Sequence, residues 1–508
     1  MSHQLHSLRI FFSQSIRFRA VFAAFAFLIF LSAAQGAHAA TFTVNNNGDA
    51  FDANPGNGIC ETAAGNGICT LRAAVQEANA FAGDDVINVA AGISTITLTN
   101  GTDIPITSNL TINGTGANQL TINGGTGLNR IFSTDSATVT IRGVTLTGGN
   151  GVGTGNPGLS FGGAIYANGG TLTLDSVVVT GNTTTNTGGG LYIFGGTNHV
   201  IRNSTFSNNF DAVACGAIRL DNASTLIVNS TISGNEAPEA GGTCTLAGGT
   251  TTFRNSTVTN NSAFDATFSS GGVYVEDGGT VNLGNTIVAG NTSRIAPDIR
   301  NSTTTPGTIT TSGGNLIGNN TGANAPAFAM IGAPNANGDY VGTNGSVINP
   351  LLGPLQNNGG TTPTHALMSN SPAIDRGINA LATAAGLTTD QRGFARIVDG
   401  DLNGTAIVDI GSFEFAAAPT AATAVVGGRA MSLRKRGISN ARITLTDASG
   451  NIRMVMTNSF GYYRFEDVEA GSTYIITATA KNFTFPEQSQ VLYVTGDTDS
   501  IDFLGYPQ

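Results

Sequence analysis

Apolar and polar residues alternate in short runs through the middle of the chain, and turn-forming Gly and Asn residues separate the runs. Each run predicts a β-strand with one buried face, because successive side chains of a strand point to opposite sides. A glycine-like pair opens every repeating unit, at Gly162, Gly188, Cys215, Gly241 and Gly271. An asparagine closes its last apolar strand, at Asn182, Asn209, Asn235, Asn261 and Asn291. The gaps are 26, 27, 26 and 30 for the first marker and 27, 26, 26 and 30 for the second, which indicates stacked coils.

Aligned on these markers, the units form columns of like residues. One apolar column contains Ile141, Leu174, Ile201, Ile227, Phe253 and Leu283, and another contains Val179, Phe206, Ile232, Val258 and Val288. A polar column between them contains Ser176, Asn203, Asn229, Asn255 and Asn285. Apolar columns fill the inside of a coil stack, and stacked Asn amides bond to one another along it. An antiparallel sandwich, the competing fold, would need hairpin turns instead. We therefore predict a right-handed parallel β-helix over residues 85–347.

A short helix is predicted over residues 71–80, just before the stack, with Thr70 as its N-cap. Its apolar face contains Leu71, Ala74, Val75 and Ala78. The stretch Cys69-Thr70-Leu71-Arg72-Ala73-Ala74 resembles the signature of the CSLREA domain, found at the start of secreted β-helix proteins. Ala73 stands where that family has a glutamate, so only half of a capping box is present. The resemblance implies an N-terminal cap over residues 40–84.

Residues 348–415 follow the stack and contain five short motifs in order. They are Asn349-Pro350-Leu351-Leu352-Gly353-Pro354-Leu355, Thr364-His365-Ala366-Leu367, Ser371-Pro372-Ala373-Ile374-Asp375, Asp390-Gln391-Arg392-Gly393 and Asp409-Ile410-Gly411. The set resembles the choice-of-anchor Q domain of bacterial surface proteins. This resemblance implies a surface-associated protein and leaves the anchoring mechanism open.

An Ala-rich linker, residues 416–424, precedes a last region over residues 425–508, where alternating residues again predict strands. This region resembles a carboxypeptidase-regulatory-like β-sandwich through Thr457, Gly461, Tyr463, Phe465, Val468, Gly471 and Tyr474. The module is an accessory domain in its family, so the resemblance implies no peptidase activity. The predicted fold class is all-β: a right-handed parallel β-helix with a small N-terminal helical cap, followed by a C-terminal β-sandwich.

Residues 1–39 have the three parts of a signal peptide. Three arginines form a positive segment, an apolar run covers residues 20–34, and small residues precede a cleavage site before Ala40. A membrane anchor is the alternative, but the run is short for a span. We predict a secreted, extracellular or cell-surface protein with no membrane span in the mature chain.

Cysteine usage and charge agree with export. Cys60 and Cys69 lie nine residues apart, which permits a disulfide in an oxidising compartment. Metal binding is the alternative, without a cysteine or histidine cluster nearby to complete a zinc set. Cys215 and Cys244 fall in neighbouring units, where a bridge requires a bend, so their pairing stays open. The formal net charge is −10, and loss of the three leader arginines makes it −13. This acidic balance excludes nucleic acid as an expected partner.

The segment Asp399-Gly400-Asp401-Leu402-Asn403-Gly404 is the best metal candidate. Oxygen-bearing side chains alternate around a glycine turn, as in loops that bind calcium. The closing acid comes one position earlier than in an EF-hand, and a metal-free Asp/Gly turn is the alternative. The pattern predicts calcium, the one candidate cofactor, with ligands at Asp399, Asp401, Asn403 and Asp409.

Candidate ligand contacts lie at outward positions of the first strand of each unit. Tyr166 and Tyr192 share a column in adjacent coils, Phe194 is nearby, and Arg219 lies in the next unit. These positions predict a surface for a polysaccharide or cell-surface glycan. Ordinary decoration of a sheet is the alternative.

One pair of acids, Asp221 and Asp277, is a candidate for catalysis. Assigned to one column two coils apart, the two carboxylates would be about 9.6 Å from each other. That separation is near the upper limit, about 9.5 Å, for an inverting glycosidase. His199 and His365 have no visible partner and are interpreted as structural. We predict a non-catalytic, adhesive or glycan-contacting protein, with a polysaccharide lyase or glycosidase as the alternative.

Overall fold

The computed structural model describes residues 39–81, 83–125, 129–153, 160–417, 423–447 and 450–507. Most of the predicted signal peptide (residues 1–38) and residues 418–422 of the predicted linker lie outside this part of the chain. The described part of the chain contains two α-helices, α1 (Leu71–Ala80) and α2 (Asn379–Ala384), and the 3-10 helix Pro326–Phe328. Its other regular elements are strands.

The coils contribute up to four strands each, in a fixed order, to four parallel sheets, which confirms the predicted parallel β-helix. The first sheet contains Ile104–Ile106, Phe132–Asp135, Ile165–Asn168, Leu191–Phe194, Ile218–Asp221, Thr243–Leu246, Val273–Val275 and Ile299–Asn301. The second contains Thr41–Val44, Asp85–Val89, Leu110–Asn113, Thr138–Arg142, Thr171–Asp175, His199–Arg202, Ser224–Val228, Thr250–Arg254, Thr280–Gly284 and Thr308–Gly313. The third contains Thr95–Thr97, Thr121–Asn123, Thr145–Thr147, Val178–Thr180, Thr205–Ser207, Thr231–Ser233, Thr257–Thr259, Ile287–Val288, Leu316–Ile317 and Tyr340–Val341. The short fourth contains Thr183–Thr184, Phe210–Asp211, Glu236–Ala237 and Ser262–Ala263.

The strand register confirms both predicted apolar columns. The second-sheet column runs, coil by coil, through Ile141, Leu174, Ile201, Ile227, Phe253 and Leu283. The third-sheet column runs through Val179, Phe206, Ile232, Val258 and Val288. All of these side chains are buried in one continuous core. Removal of this apolar surface from water is the main force that holds the coils together.

One detail of the predicted stack is wrong. Cys215 pairs with Ala240 and not with Gly241, because the chain takes 25 residues from Ile218 to its first-sheet partner Thr243. Thr41–Val44, from the segment predicted as the cap, pairs in parallel with the next strand of the second sheet. The alternating sequence of this segment lets it cover an otherwise unpaired strand edge.

The polar column lies at the corner between the second and third sheets. Its members have left-handed backbones, with φ between 47° and 57°: Ser176, Asn203, Asn229, Asn255 and Asn285. Asn tolerates this conformation better than most residues. Hydrogen bonds between side-chain amides link part of the column; for example, Asn229 Nδ2 donates to Asn203 Oδ1 at 2.8 Å.

A second, fully buried asparagine ladder runs through the positions that close each unit. Each Nδ2 donates to the Oδ1 of the next asparagine, at 3.0, 2.9, 2.8 and 2.9 Å along Asn182, Asn209, Asn235, Asn261 and Asn291. The ladder ends at Asp298, whose Oδ1 accepts from Asn291 Nδ2 at 3.0 Å and whose Oδ2 accepts from Asn319 N at 2.8 Å. An acid fits this last rung because both of its oxygens accept. Burial raises the pKa of Asp298 to about 6.

The predicted helix and its N-cap residue, Thr70, are confirmed. Thr70 Oγ1 accepts from Ala73 N at 3.1 Å at the start of α1, and the predicted apolar face of α1 is buried. Helix α1 packs against the first strands of the stack. Cys60 and Cys69 form the predicted disulfide, with 5.2 Å between Cα atoms. The N-terminal end of the core is therefore covered by a helix and a cross-linked loop.

Residues 348–417 fold back along the outer face of the third sheet. Gln391 bonds to the hydroxyls of Thr205 and Thr231 at 2.8 and 2.6 Å. His365 Nε2 lies 2.8 Å from the Ser233 hydroxyl. This segment therefore buries outward hydroxyls that an isolated coil stack would expose to water.

The strands beyond the solenoid are mainly antiparallel. Leu352–Gln356 and Thr364–Leu367 form a hairpin. One C-terminal sheet contains Thr423–Ser432, Tyr462–Glu469, Phe483–Thr484 and Phe503–Pro507. The other contains Arg442–Asp447, Ile452–Met456, Ser472–Thr479 and Ser489–Val494. Four residues of the predicted resemblance lie in their shared core: Tyr463, Phe465, Val468 and Tyr474. The C-terminal β-sandwich is confirmed.

Candidate functional site

The predicted aromatic column lies on the outer face of the first sheet. Tyr166 pairs with Tyr192, and Tyr192 pairs with Arg219, on three consecutive coils. We call these three residues the tyrosine–arginine column. The two rings stack with 5.4 Å between centroids, because neighbouring parallel strands are about 4.8 Å apart. Arg130 and Arg219 lie 5.1 and 5.7 Å from the ring centroids of Tyr166 and Tyr192, within reach of a cation–π interaction.

Asp221 joins the column to the neighbouring outward positions. Its Oδ2 accepts from the Tyr192 hydroxyl at 2.8 Å. Arg219 Nε also donates to Oδ1 and Oδ2 of Asp221, at 3.1 and 3.0 Å. Burial, and then the charge of Asp221, raises the pKa of Tyr192, so the Tyr192 hydroxyl keeps its proton and donates. Both oxygens of the carboxylate are thus held in place by this network.

The tyrosines are far less exposed than a binding platform would be. Tyr166 and Tyr192 are 9% and 7% exposed, because the Phe161 ring packs 5.7 and 5.4 Å from them. Beside the two tyrosines, Phe194 is an accessible ring: it is 46% exposed and 6.3 Å from Tyr192. The tyrosines therefore support a surface whose accessible part is Phe194 with the edge of Arg219.

Asp277 does not share the column of Asp221, which corrects the predicted pair. Asp221 pairs with Leu246, a step of 25 residues, and the next pairing steps by 30 residues. The two-coil partner of Asp221 is therefore Glu276, while Asp277 lies one position later in a left-handed turn with φ 49°. Because one step between coils is a residue shorter than expected, Glu276 occupies the position that the sequence assigned to Asp277.

Cys215 and Cys244 form a second disulfide, with 6.0 Å between their Cα atoms. The sequence left this cysteine pairing open, and the structure contains it. The bridge is buried with Ala240 and Tyr274, and Cys244 pairs directly with Arg219. It cross-links two consecutive coils beside the tyrosine–arginine column and reduces the freedom of the unfolded chain.

The acidic loop brings together a different set of ligands from the predicted one. Asp399 and Asp401 each place an oxygen within 4.8 Å of the other and of Asp375. Three carboxylates at this separation can hold a hard cation such as calcium. Asp375 belongs to a separate motif earlier in the chain, so no local spacing identifies it as a partner.

Backbone N–H groups engage the other two predicted calcium ligands, as they also engage Asp375, Asp399 and Asp401. Asn403 Oδ1 accepts from Thr405 N at 2.9 Å. Asp409 is fully buried, and its Oδ1 accepts from Asp375 N at 2.7 Å. Burial raises the pKa of Asp409 to about 7. Asp409 therefore positions the segment that carries Asp375 and presents no oxygen at the surface.

The two histidines lie inside the protein, in line with a structural role. His199 Nδ1 accepts from Leu172 N at 2.9 Å, and its Nε2 lies 3.0 Å from Gly195 O. His365 Nδ1 lies 2.7 Å from Gly353 O. Burial lowers the pKa of both imidazoles, which favours their neutral form; backbone groups engage both nitrogens of His199, while Gly353 O and the Ser233 hydroxyl engage those of His365.

Residues 92–325 match the family described as the right handed beta helix region, and residues 425–504 match the carboxypeptidase regulatory-like domain. The first match gives the hand of the coil stack, and the second agrees with the C-terminal sandwich. No curated protein matches the chain. Among the described residues, no helix has the length and apolar character needed to cross a membrane. Both matched families are defined by fold, so function has to be argued from the surface.

Proposed function

We propose that this protein is a secreted or cell-surface β-helix that contacts extended glycans and does not cleave them. The observation that carries the proposal is the exposed Phe194 ring beside the Arg219–Asp221 pair on a rigid support. An aromatic ring packs against the apolar face of a sugar, and a charged pair bonds its hydroxyls. Asp135, Asn168 and Phe194 lie in register on three coils, so a glycan along the coil axis would meet further polar groups.

The proposed location rests on several independent features. Two disulfides fit an oxidising compartment. The signal-peptide pattern of residues 1–39, the CSLREA-like cap over 40–84 and the choice-of-anchor Q-like region over 348–415 add to this assignment. We place the β-helix between the CSLREA-like cap and the choice-of-anchor Q-like region, over residues 85–347, and the sandwich over residues 425–508.

Binding is favoured over catalysis because Asp221 is engaged on both oxygens and its two-coil partner, Glu276, is about 9.6 Å away. That distance is at the limit of about 9.5 Å for an inverting pair. One observation favours the alternative, a polysaccharide lyase or glycosidase: burial, and then the charge of Glu276, raises the pKa of Glu239. A carboxyl that keeps its proton at higher pH is suited to act as a general acid.

Removal of the exposed ring is expected to weaken glycan binding. In Phe194→Ser, affinity for a glycan bound by the wild type should fall about tenfold, since one aromatic contact is worth about 1.4 kcal/mol. The glycan is found by screening uronate-containing and neutral polysaccharides, and affinity is measured by titration calorimetry. Phe210→Ser is the matched control, because Phe210 is 37% exposed but lies on the fourth sheet.

Equal affinities of Phe194→Ser and Phe210→Ser would contradict binding at this face. Turnover of any polysaccharide in the screen, lost in Asp221→Asn or Glu276→Gln, would replace the proposal with the enzymatic alternative. Asp277→Asn serves as the neighbouring acid that should leave such turnover intact.

Chelation of calcium is expected to lower the melting temperature of the protein, on the proposal that Asp375, Asp399 and Asp401 hold the ion. A ligand at a hundred times its Kd stabilises the folded state by about 2.7 kcal/mol. Melting curves with EGTA and with added calcium test this. Asp399→Asn should melt at the same temperature in both, whereas the exposed Asp467→Asn should keep the difference. No effect of EGTA on the wild type would rule out a tight site.

A further inference from the structure

The outer face of the second sheet carries two columns of uncharged side chains, most of them threonine. One column contains Thr138, Thr171, Ser224, Thr250, Thr280 and Thr308, on every coil except that of His199–Arg202. The other contains Thr111, Thr140, Thr173, Val200, Leu226, Thr252, Asn282 and Thr310. Ten of these fourteen residues are threonine, and every one is at least partly exposed. We call this surface the threonine face.

The threonine face is a two-dimensional lattice. Neighbouring coils repeat about every 4.8 Å, and outward residues two apart in one strand repeat about every 6.7 Å. The strand register runs without a shift until Leu283, so the columns stay straight. Threonine is branched at Cβ and has few χ1 states. The hydroxyl and methyl groups of the threonines are therefore held at repeating positions by the packed core beneath them, and Val200 and Leu226 interrupt the hydroxyls of one column on two neighbouring coils.

Among the residues that the structure describes, no segment covers this face, and the face lacks the chemistry for a charged or sugar partner. On the third sheet, the comparable hydroxyls of Thr205 and Thr231 are buried and bonded to Gln391, whereas the side chains of the threonine face all stay at least partly exposed. It has no charged residue and no aromatic ring. Hydroxyls alone gain little from binding another hydroxylated polymer, since water offers the same bonds.

A partner for this surface has to be rigid, uncharged and periodic in two directions. Crystalline water meets all three conditions. Both repeats of the face are comparable with the oxygen repeats on the prism faces of hexagonal ice. Hydroxyl groups can take lattice positions, while the methyl groups order the water molecules between them. The charged residues Arg142, Asp175 and Arg202 lie in the next column, where Arg202 and Asp175 pair at 2.8 Å and remain at the edge of the face.

We propose that the threonine face binds ice. This activity is separate from the proposed glycan contact, which lies on the first sheet, and either can fail without the other. It adds an interaction with a solid surface to a protein whose coils provide the necessary length and rigidity.

Ice partitioning tests the proposal with the full-length protein. During slow growth of polycrystalline ice, the wild type should be enriched in the ice fraction. The double variant Thr173→Tyr/Thr252→Tyr, which places two large rings on the face, should be excluded into the liquid. Thr185→Tyr is the control, since Thr185 is exposed in a loop away from the face, and it should partition like the wild type.

Circular dichroism melts establish that the variants are folded. If the tyrosine variant unfolds, Thr173→Ser/Thr252→Ser replaces it, because it keeps the hydroxyls and removes only methyl groups, and it should lose most of the enrichment. Exclusion of the wild type from ice overturns the proposal. So does enrichment of the folded face variant equal to that of Thr185→Tyr.

Discussion

Replacing Asn235 with alanine is expected to lower the free energy of unfolding by about 3–5 kcal/mol. The Asn235 amide donates to Asn261 Oδ1 at 2.8 Å and to Phe206 O at 3.0 Å. Its Oδ1 accepts from the Nδ2 and the backbone N of Asn209, at 2.9 and 3.0 Å. All of these groups are buried. Loss of the side chain therefore leaves several donors and acceptors without partners and away from water, at about 1–3 kcal/mol for each group that does not relax.

Guanidinium unfolding followed by far-ultraviolet circular dichroism measures this loss. Asn186→Ala is the matched control, because Asn186 is partly exposed and lies outside the ladder. Its effect should stay within about 0.5 kcal/mol. If Asn235→Ala and Asn186→Ala unfold at the same denaturant concentration, the ladder does not contribute to stability in the way its geometry indicates.

Alanine at Gly189 is expected to destabilise the coil stack by about 2–3 kcal/mol. A Cβ at this position would lie 2.2 Å from Gly216 O and 2.7 Å from Phe210 O. These atoms belong to the backbone of an adjacent stretch of coil, so no side-chain rotation relieves the overlap. The coils would have to separate locally, which weakens the hydrogen bonds between them.

Thermal unfolding of Gly189→Ala should show a clear drop in melting temperature, while Gly345→Ala should melt like the wild type. Gly345 is a fair control because a Cβ there meets no atom within 4 Å. A wild-type melting temperature for Gly189→Ala would mean that the coils move apart at little cost. The comparison also explains the glycine marker, since close approach of coils recurs at Gly163 and Gly216.

The interior of the protein was predictable because every coil applies the same constraint to it. Phe206 and Ile232 fill equivalent space in successive coils, so a single period describes them. The same holds for the asparagines that close each unit. Helix α1 was predicted to its ends because Thr70 and the apolar face after it are local signals.

The candidate site was predicted less completely because outward positions carry no such constraint. The sequence placed Tyr166 and Tyr192 in one column, and the register agrees; that Arg219 continues this column is shown only by the strand register. Phe161 covers the two tyrosines from outside the repeating strands, so no strand pattern indicates it. A loop shorter by one residue puts Glu276 in the position expected for Asp277.

By itself, the sequence determined the strand pattern, the contents of the coil interior, the N-terminal helix and the C-terminal sandwich. Each of these follows from alternation, capping or a repeat over neighbouring residues. Only the tertiary structure decided which outer surfaces remain open and which acids meet. Gln391 reaches Ser204 across 187 residues of sequence, and in doing so its segment buries the third sheet while the threonine face stays in water. Contacts over such separations depend on how whole elements pack, and no local pattern of residues specifies them.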